Sequence, residues 1–134
     1  MPYEDHLIKQ IERFSQAIAQ ILARGLNGRG PVPSNSVDTI NGFLQNELGL
    51  SIQQMTQCTD LELRVLLEKT PFSNDNRDGL IELLVTTYRE YPSDEIRSLV
   101  VRLIHQTNSI QSSYSLQRLE WLNALNKPLD PNLN

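Results

Sequence analysis

The sequence predicts an all-α protein of about six helices, arranged as antiparallel helical hairpins in a bundle or a short solenoid-like stack. Three observations lead to this prediction. Apolar residues recur at helical spacing, capping residues stand before several such stretches, and no stretch alternates apolar and polar residues as a half-buried strand does. A length of 134 residues with 39% hydrophobic residues suits one folded domain over residues 1–134.

The first helix is expected over residues 3–25. Its apolar stripe recurs at alternating steps of four and three residues and consists of Leu7, Ile11, Phe14, Ile18 and Ile21. A Gly- and Pro-rich linker over 27–35 follows, because glycine admits left-handed backbone and proline cannot continue a helix. Such a stripe suits a second helix, so we expect it to form a homodimer seam. The alternative is that it packs onto the chain's own domain.

A helical body is predicted over residues 36–126. Ser36 is the expected N-cap of its first helix, which Gly49 ends. Two capping boxes come next and predict short helices over 52–57 and 60–69, the second with Leu63, Leu66 and Leu67 as apolar residues. The boxes are Ser51 with Gln54 and Thr59 with Glu62.

Three helices are expected in the second half of the chain. The first ends before Pro92, with Gly79 as an early weak point, and Ser93 caps the second. The third begins near Ser113 and is followed by an unpatterned tail over 127–134. Its expected apolar face consists of Tyr114, Leu116, Leu119, Leu122 and Leu125. Because the turns between these helices are short, they should be antiparallel neighbours.

Two stretches of the chain carry a resemblance. The opening Tyr3–Glu12 and the later Tyr114–Arg118 resemble the first and last helices of a small uncharacterised bacterial family of all-helical, partly tetratricopeptide-like proteins. The resemblance implies a bacterial origin and a helical fold. It implies no activity and no catalytic residues. The Trp, Leu, Gly and Tyr pattern of the tetratricopeptide repeat itself is not found in the sequence.

The charge pattern argues against nucleic acid as a partner. The formal net charge is −4, and Arg97 and Arg102 follow Asp94 and Glu95 without forming a basic run. We therefore interpret these arginines as solvated surface residues. The N-terminal residues lack the basic and apolar regions of a secretory signal, and no apolar stretch is long enough for a membrane span. We expect a cytoplasmic protein with no membrane partner.

Reactive side chains do not form a recognisable constellation, so we expect no metal, no cofactor and no catalytic residue. His6 lacks a second histidine at ligand spacing, and His105 is expected to be partly buried. Cys58, as the single cysteine, has no internal disulfide partner; it is either a small buried hydrophobe or a nucleophile before a helix. Trp121 is either packed between two helices or an exposed anchor for a partner.

These observations predict a helical protein–protein interaction module that associates with itself as a homodimer. The alternative is a small-ligand sensor or enzyme with a pocket among the later helices. The candidate pocket residues are Tyr88, Tyr91, His105 and Trp121.

Overall fold

The computed structural model describes residues 2–26, 34–69, 72–111 and 115–126, which contain seven α-helices and no strand. This confirms the all-α prediction. The helices are α1 (Pro2–Leu26), α2 (Ser34–Leu48), α3 (Ile52–Thr56), α4 (Asp60–Leu67), α5 (Asn74–Glu90), α6 (Asp94–Ile110) and α7 (Leu116–Asn126).

Some predicted boundaries differ from the observed ones. Because α2 begins at Ser34, two residues of the predicted linker are helical, and Ser36 lies inside the helix rather than at its N-cap. The helix expected over 60–69 ends at Leu67. The rest of the linker, Ser113, Tyr114 and the tail over 127–134 lie outside the described residues.

Local capping explains the two short helices. Both predicted capping boxes form. The Ser51 hydroxyl accepts from the backbone N–H of Gln54, and the Thr59 hydroxyl accepts from the backbone N–H of Glu62. In return, the side chains of Gln54 and Glu62 accept from the backbone N–H groups of Ser51 and Thr59. Before them, Gly49 ends α2 with a φ of +76°, a left-handed conformation that glycine adopts without steric cost.

The helices α5 and α6 form the central pair of the fold. They are antiparallel, since Arg77 near the start of α5 donates to Gln111 just after the end of α6 at 2.7 Å. The turn between them holds Pro92 and Ser93, and Ser93 caps α6 as predicted. The helices α1 and α2 contact α5, whereas α3, α4 and α7 contact α6.

The hydrophobic core surrounds this pair. Leu80 and Leu84 of α5 and Leu99 and Leu103 of α6 are fully buried. The helix α7 runs antiparallel to α6, because Arg97 near the start of α6 reaches Leu125 near the end of α7. The expected hairpin order of the last three helices is therefore confirmed.

Within the described ranges, no helix is both long and apolar enough to cross a bilayer.

Candidate functional site

The apolar stripe of α1 lies largely inside the fold. Phe14 and Ile18, at its centre, are 0% and 4% exposed. Phe14 packs against the rings of Phe43 and Phe72 at centroid distances of 5.1 and 5.2 Å, and Ile18 contacts Gly79 of α5. These two side chains already have partners within the chain, so the fold itself accounts for the centre of the stripe.

The ends of the same stripe are less enclosed. Leu7, Ile11 and Ile21 are half-buried, and the neighbouring Ile8 is 53% exposed. Homodimerisation stays a prediction, but the centre of the stripe does not face solvent.

The four candidate pocket residues lie on α5, α6 and α7 or just after α5, and they differ in exposure. Trp121 is buried on α7 beside α6, which favours its interpretation as a core residue. Tyr88 is buried, and its hydroxyl has no hydrogen-bond partner. Desolvation, together with the carboxylates of Glu90 and Asp38, raises the pKa of Tyr91. His105 is exposed rather than partly buried as expected, because it lies on the outer side of α6.

Arginine side chains from neighbouring helices cap the C-terminal ends of α3, α4 and α7. Arg102 donates to the carbonyl oxygens of Thr56 (3.3 Å) and Cys58. Arg77 donates to that of Leu67 at 2.8 Å, and Arg97 to that of Leu125 at 2.7 Å. The last carbonyl groups of a helix lack hydrogen-bond donors within the helix, and they carry partial negative charge. A guanidinium supplies both the missing N–H donors and a positive charge. The interpretation of Arg97 and Arg102 as solvated surface charges was therefore wrong.

Arg77 is the most enclosed of these three caps, at 8% exposure. Besides Leu67, its guanidinium contacts the side-chain oxygens of Gln111 and Asn74. Burial lowers its pKa, and the neighbouring carboxylate of Asp78 acts in the opposite direction. The cluster joins the end of α4, the start of α5 and the end of α6.

A second buried arginine, Arg118, joins α7 to the same end of the bundle. Its side chain is 2% exposed and donates to Asp78 at 2.8 and 3.1 Å and to Asn108 at 2.6 Å. The role of Arg118 was not predicted from the sequence. The sequence does hold a signal for its burial: Trp121 and Leu125 follow Arg118 by three and seven positions, so the three residues share one helical face.

The outer faces of α4 and α7 carry exposed apolar pairs. Leu61 and Val65 on α4 are 70% and 44% exposed, and Leu116 and Leu119 on α7 are 61% and 40% exposed. The predicted apolar face of α7 was thus wrong for Leu116 and Leu119 and right for Leu125, which lies on the inner face with Arg118 and Trp121. Both pairs lie at helical spacing, so each forms a continuous strip on its helix.

A polar cleft of about 360 Å³ lies between α3 and the start of α6. Its charged lining consists of Asp94, Glu95 and Arg102, and none of the four candidate pocket residues lines it. The guanidinium of Arg102 also forms an ion pair with Asp60 at 2.8 Å, so this group helps to hold α3 and the start of α4 on α6.

Cys58 follows α3 and has the environment of a structural residue. Its thiol donates to the Gln54 carbonyl at 3.5 Å. Burial and the Glu62 carboxylate raise its pKa, and Arg102 offsets only part of this effect. A raised pKa leaves little thiolate at neutral pH, which disfavours the nucleophile interpretation.

Within the described ranges, no group of three His, Cys, Asp or Glu side chains could hold a metal ion.

No family model, curated protein or solved structure significantly matches this chain. The resemblance to a bacterial helical family, with the origin that it implies, therefore stays an expectation.

Proposed function

We propose that this chain is a helical protein–protein interaction module that associates with a second copy of itself. The observation that carries the proposal is the presence of exposed apolar pairs on two outer helices, Leu61 with Val65 and Leu116 with Leu119. Single exposed apolar residues are ordinary on protein surfaces. Pairs on one helical face, however, form strips on which another helix can pack.

The arginine contacts at the helix ends support a scaffold rather than a reactive centre. Arg77, Arg97 and Arg102 bind carbonyl oxygens at the ends of other helices. These arginines tie the C-terminal ends of the outer helices α3, α4 and α7 to the bundle, which orders the backbone that carries their outer faces. A rigid, preorganised surface loses less conformational entropy on association than a mobile one.

Sedimentation velocity from low to high micromolar concentration tests the proposal. We expect the weight-average mass to rise with concentration toward that of two chains. Added salt and a reducing agent distinguish this association from nonspecific charge attraction and from a disulfide through Cys58, the single cysteine. A mass that stays at one chain over the whole range overturns the proposal.

A further inference from the structure

We infer that α7 is a releasable cover, which leaves the bundle as one unit while α1 to α6 stay folded and thereby exposes an apolar strip of α6. This inference goes beyond the proposed self-association and does not depend on it. It starts from how few apolar side chains hold α7. Within Leu116–Asn126 the buried apolar side chains are those of Trp121 and Leu125. The helix α6, in contrast, buries Ile96, Leu99, Val100, Leu103 and Ile104.

The strip that α7 covers can be located from the contacts at its two ends. Arg97 donates to a carbonyl oxygen near the end of α7 at 2.7 Å, and Asn108 accepts from a guanidinium near its start at 2.6 Å. These two residues of α6 lie about three helical turns apart, so they share one face. Val101 and Ile104 lie between them on that face, at helical spacing. Release of α7 therefore exposes an apolar strip that contains Val101 and Ile104.

The ion pair at the start of α7 can separate without leaving a buried charge. Arg118 is 2% exposed and donates to both carboxylate oxygens of Asp78, whose side chain keeps 36% exposure. A buried ion pair contributes little net stability, because both groups regain water when they separate. Removal of one partner alone, however, leaves the other charge buried and uncompensated. Loss of the Asp78 charge should therefore favour the released state.

The helix α7 should unfold when it leaves the bundle. It has eleven residues, with no acidic residue in its first turn and no basic residue in its last turn. Isolated helices shorter than about 12–15 residues are marginal in water. Release and unfolding of α7 are therefore one event, which frees its backbone amides for hydrogen exchange.

The remaining bundle keeps the centre of its core without α7. Leu80 and Leu84 of α5 and Leu99 and Leu103 of α6 are fully buried there. The helices α1 and α2 pack on α5, and α3 and α4 pack on α6. Proteins open in such units when one element contributes few buried apolar contacts and the others share the core.

The single tryptophan makes release measurable in the full chain, because Trp121 lies on α7 and is 6% exposed. In urea, its fluorescence reports the docking of α7, whereas far-ultraviolet circular dichroism reports all the helices. We expect the fluorescence midpoint at a lower urea concentration than the circular dichroism midpoint. The difference should be the same at tenfold lower protein concentration, since release occurs within one chain. Coincident midpoints, or a difference that depends on protein concentration, overturn the inference.

Two substitutions in α5 test the ion pair. Asp78→Asn should lower the fluorescence midpoint and accelerate amide exchange in α7 at least about tenfold, because Arg118 then lacks its counter-charge while docked. The circular dichroism midpoint should stay unchanged. Asp75→Asn is the matched control, since it makes the same change at an exposed position of the same helix, and it should leave α7 unaffected. A fall of both midpoints by the same amount in Asp78→Asn would show that α7 unfolds with the bundle.

Two leucine substitutions test the boundary of the unit without changing a charge. Leu125 of α7 and Leu84 of α5 are both buried. Leu125→Ala should lower the fluorescence midpoint alone, because it weakens only the docking of α7. Leu84→Ala should lower the circular dichroism midpoint, because it leaves a cavity in the core that remains after release. If Leu125→Ala lowers both midpoints equally, α7 belongs to the cooperative core and the inference is wrong.

Discussion

Ile18 of α1 lies so close to Gly79 of α5 that a Cβ atom added at Gly79 would stand 3.2 Å from Ile18 Cδ1 and 3.3 Å from Ile18 Cγ2. Glycine is unfavourable in the interior of a helix because it loses more conformational freedom on folding than other residues. Here the missing side chain lets α1 approach α5. The sequence marked Gly79 as a weak point of a helix, and the structure gives it a packing role.

Gly79→Val should lower the free energy of unfolding by about 1–3 kcal/mol, because the added methyl groups overpack the contact with Ile18. Gly42→Val is the matched control, since no atom lies within 4 Å of a Cβ built at that glycine of α2. The control should stay within about 0.5 kcal/mol of wild type in urea denaturation. Equal effects of the two substitutions would contradict the close approach.

Ile18→Asp should unfold the chain or cost several kcal/mol, because it places an unpaired carboxylate at a position that is 4% exposed. Gln16→Glu adds the same charge at an exposed position of α1 and should change stability by less than about 0.5 kcal/mol. Circular dichroism with thermal melting measures both. A folded Ile18→Asp monomer derived from a wild-type dimer would instead support the seam predicted along α1.

Arg118→Ala should lower the free energy of unfolding by about 3 kcal/mol, near the low end for breaking a buried ion pair. The low end applies because the Asp78 side chain keeps 36% exposure and remains partly hydrated. Arg13→Ala breaks the pair with Glu47, in which the arginine is 69% exposed, and should cost less than about 1 kcal/mol. Similar losses in urea denaturation for the two variants would show that Arg118 contributes no more than a surface charge.

Alkylation of Cys58 by iodoacetamide should require a higher pH in the folded chain than in the urea-unfolded chain, because burial raises the thiol pKa. Glu62→Gln should shift the midpoint of the pH profile of the alkylation rate toward lower pH, since it removes a carboxylate that disfavours the thiolate. Arg102→Gln should shift it toward higher pH. Mass spectrometry of the alkylated fraction against time gives the rates, and shifts in the reverse directions would refute this account.

Features that depend on a few neighbouring residues could be predicted from the sequence. The capping boxes at Ser51 and Thr59 and the left-handed Gly49 formed as expected. Each of them satisfies backbone groups within three or four positions of the chain, so its energy hardly depends on the rest of the fold. The helix count and the all-α class follow from such signals and from the periodicity of apolar residues.

The candidate site was less predictable, because it depends on which helical face the neighbours cover. The sequence assigned Leu63, Leu66 and Leu67 to the apolar side of α4 and did not single out Leu61, whose exposure now carries the proposed surface. On α7, Leu116 and Leu119 were expected to be buried and instead face outward. The apolar residues of α7 are spread around the helix, so the sequence pattern alone does not select one face.

Caps and periodicity act over one or two turns of helix, so they predicted where most helices begin and end. Which arginines bind helix ends, in contrast, depends on contacts between distant parts of the chain. Arg97 donates to a carbonyl oxygen 28 positions away in the chain, and Arg102 donates to a carbonyl oxygen that is 46 positions away. No local pattern reports such contacts, because they exist only after the core has brought α6 against α3 and α7. The guanidinium groups then replace water at helix ends that packing has removed from solvent.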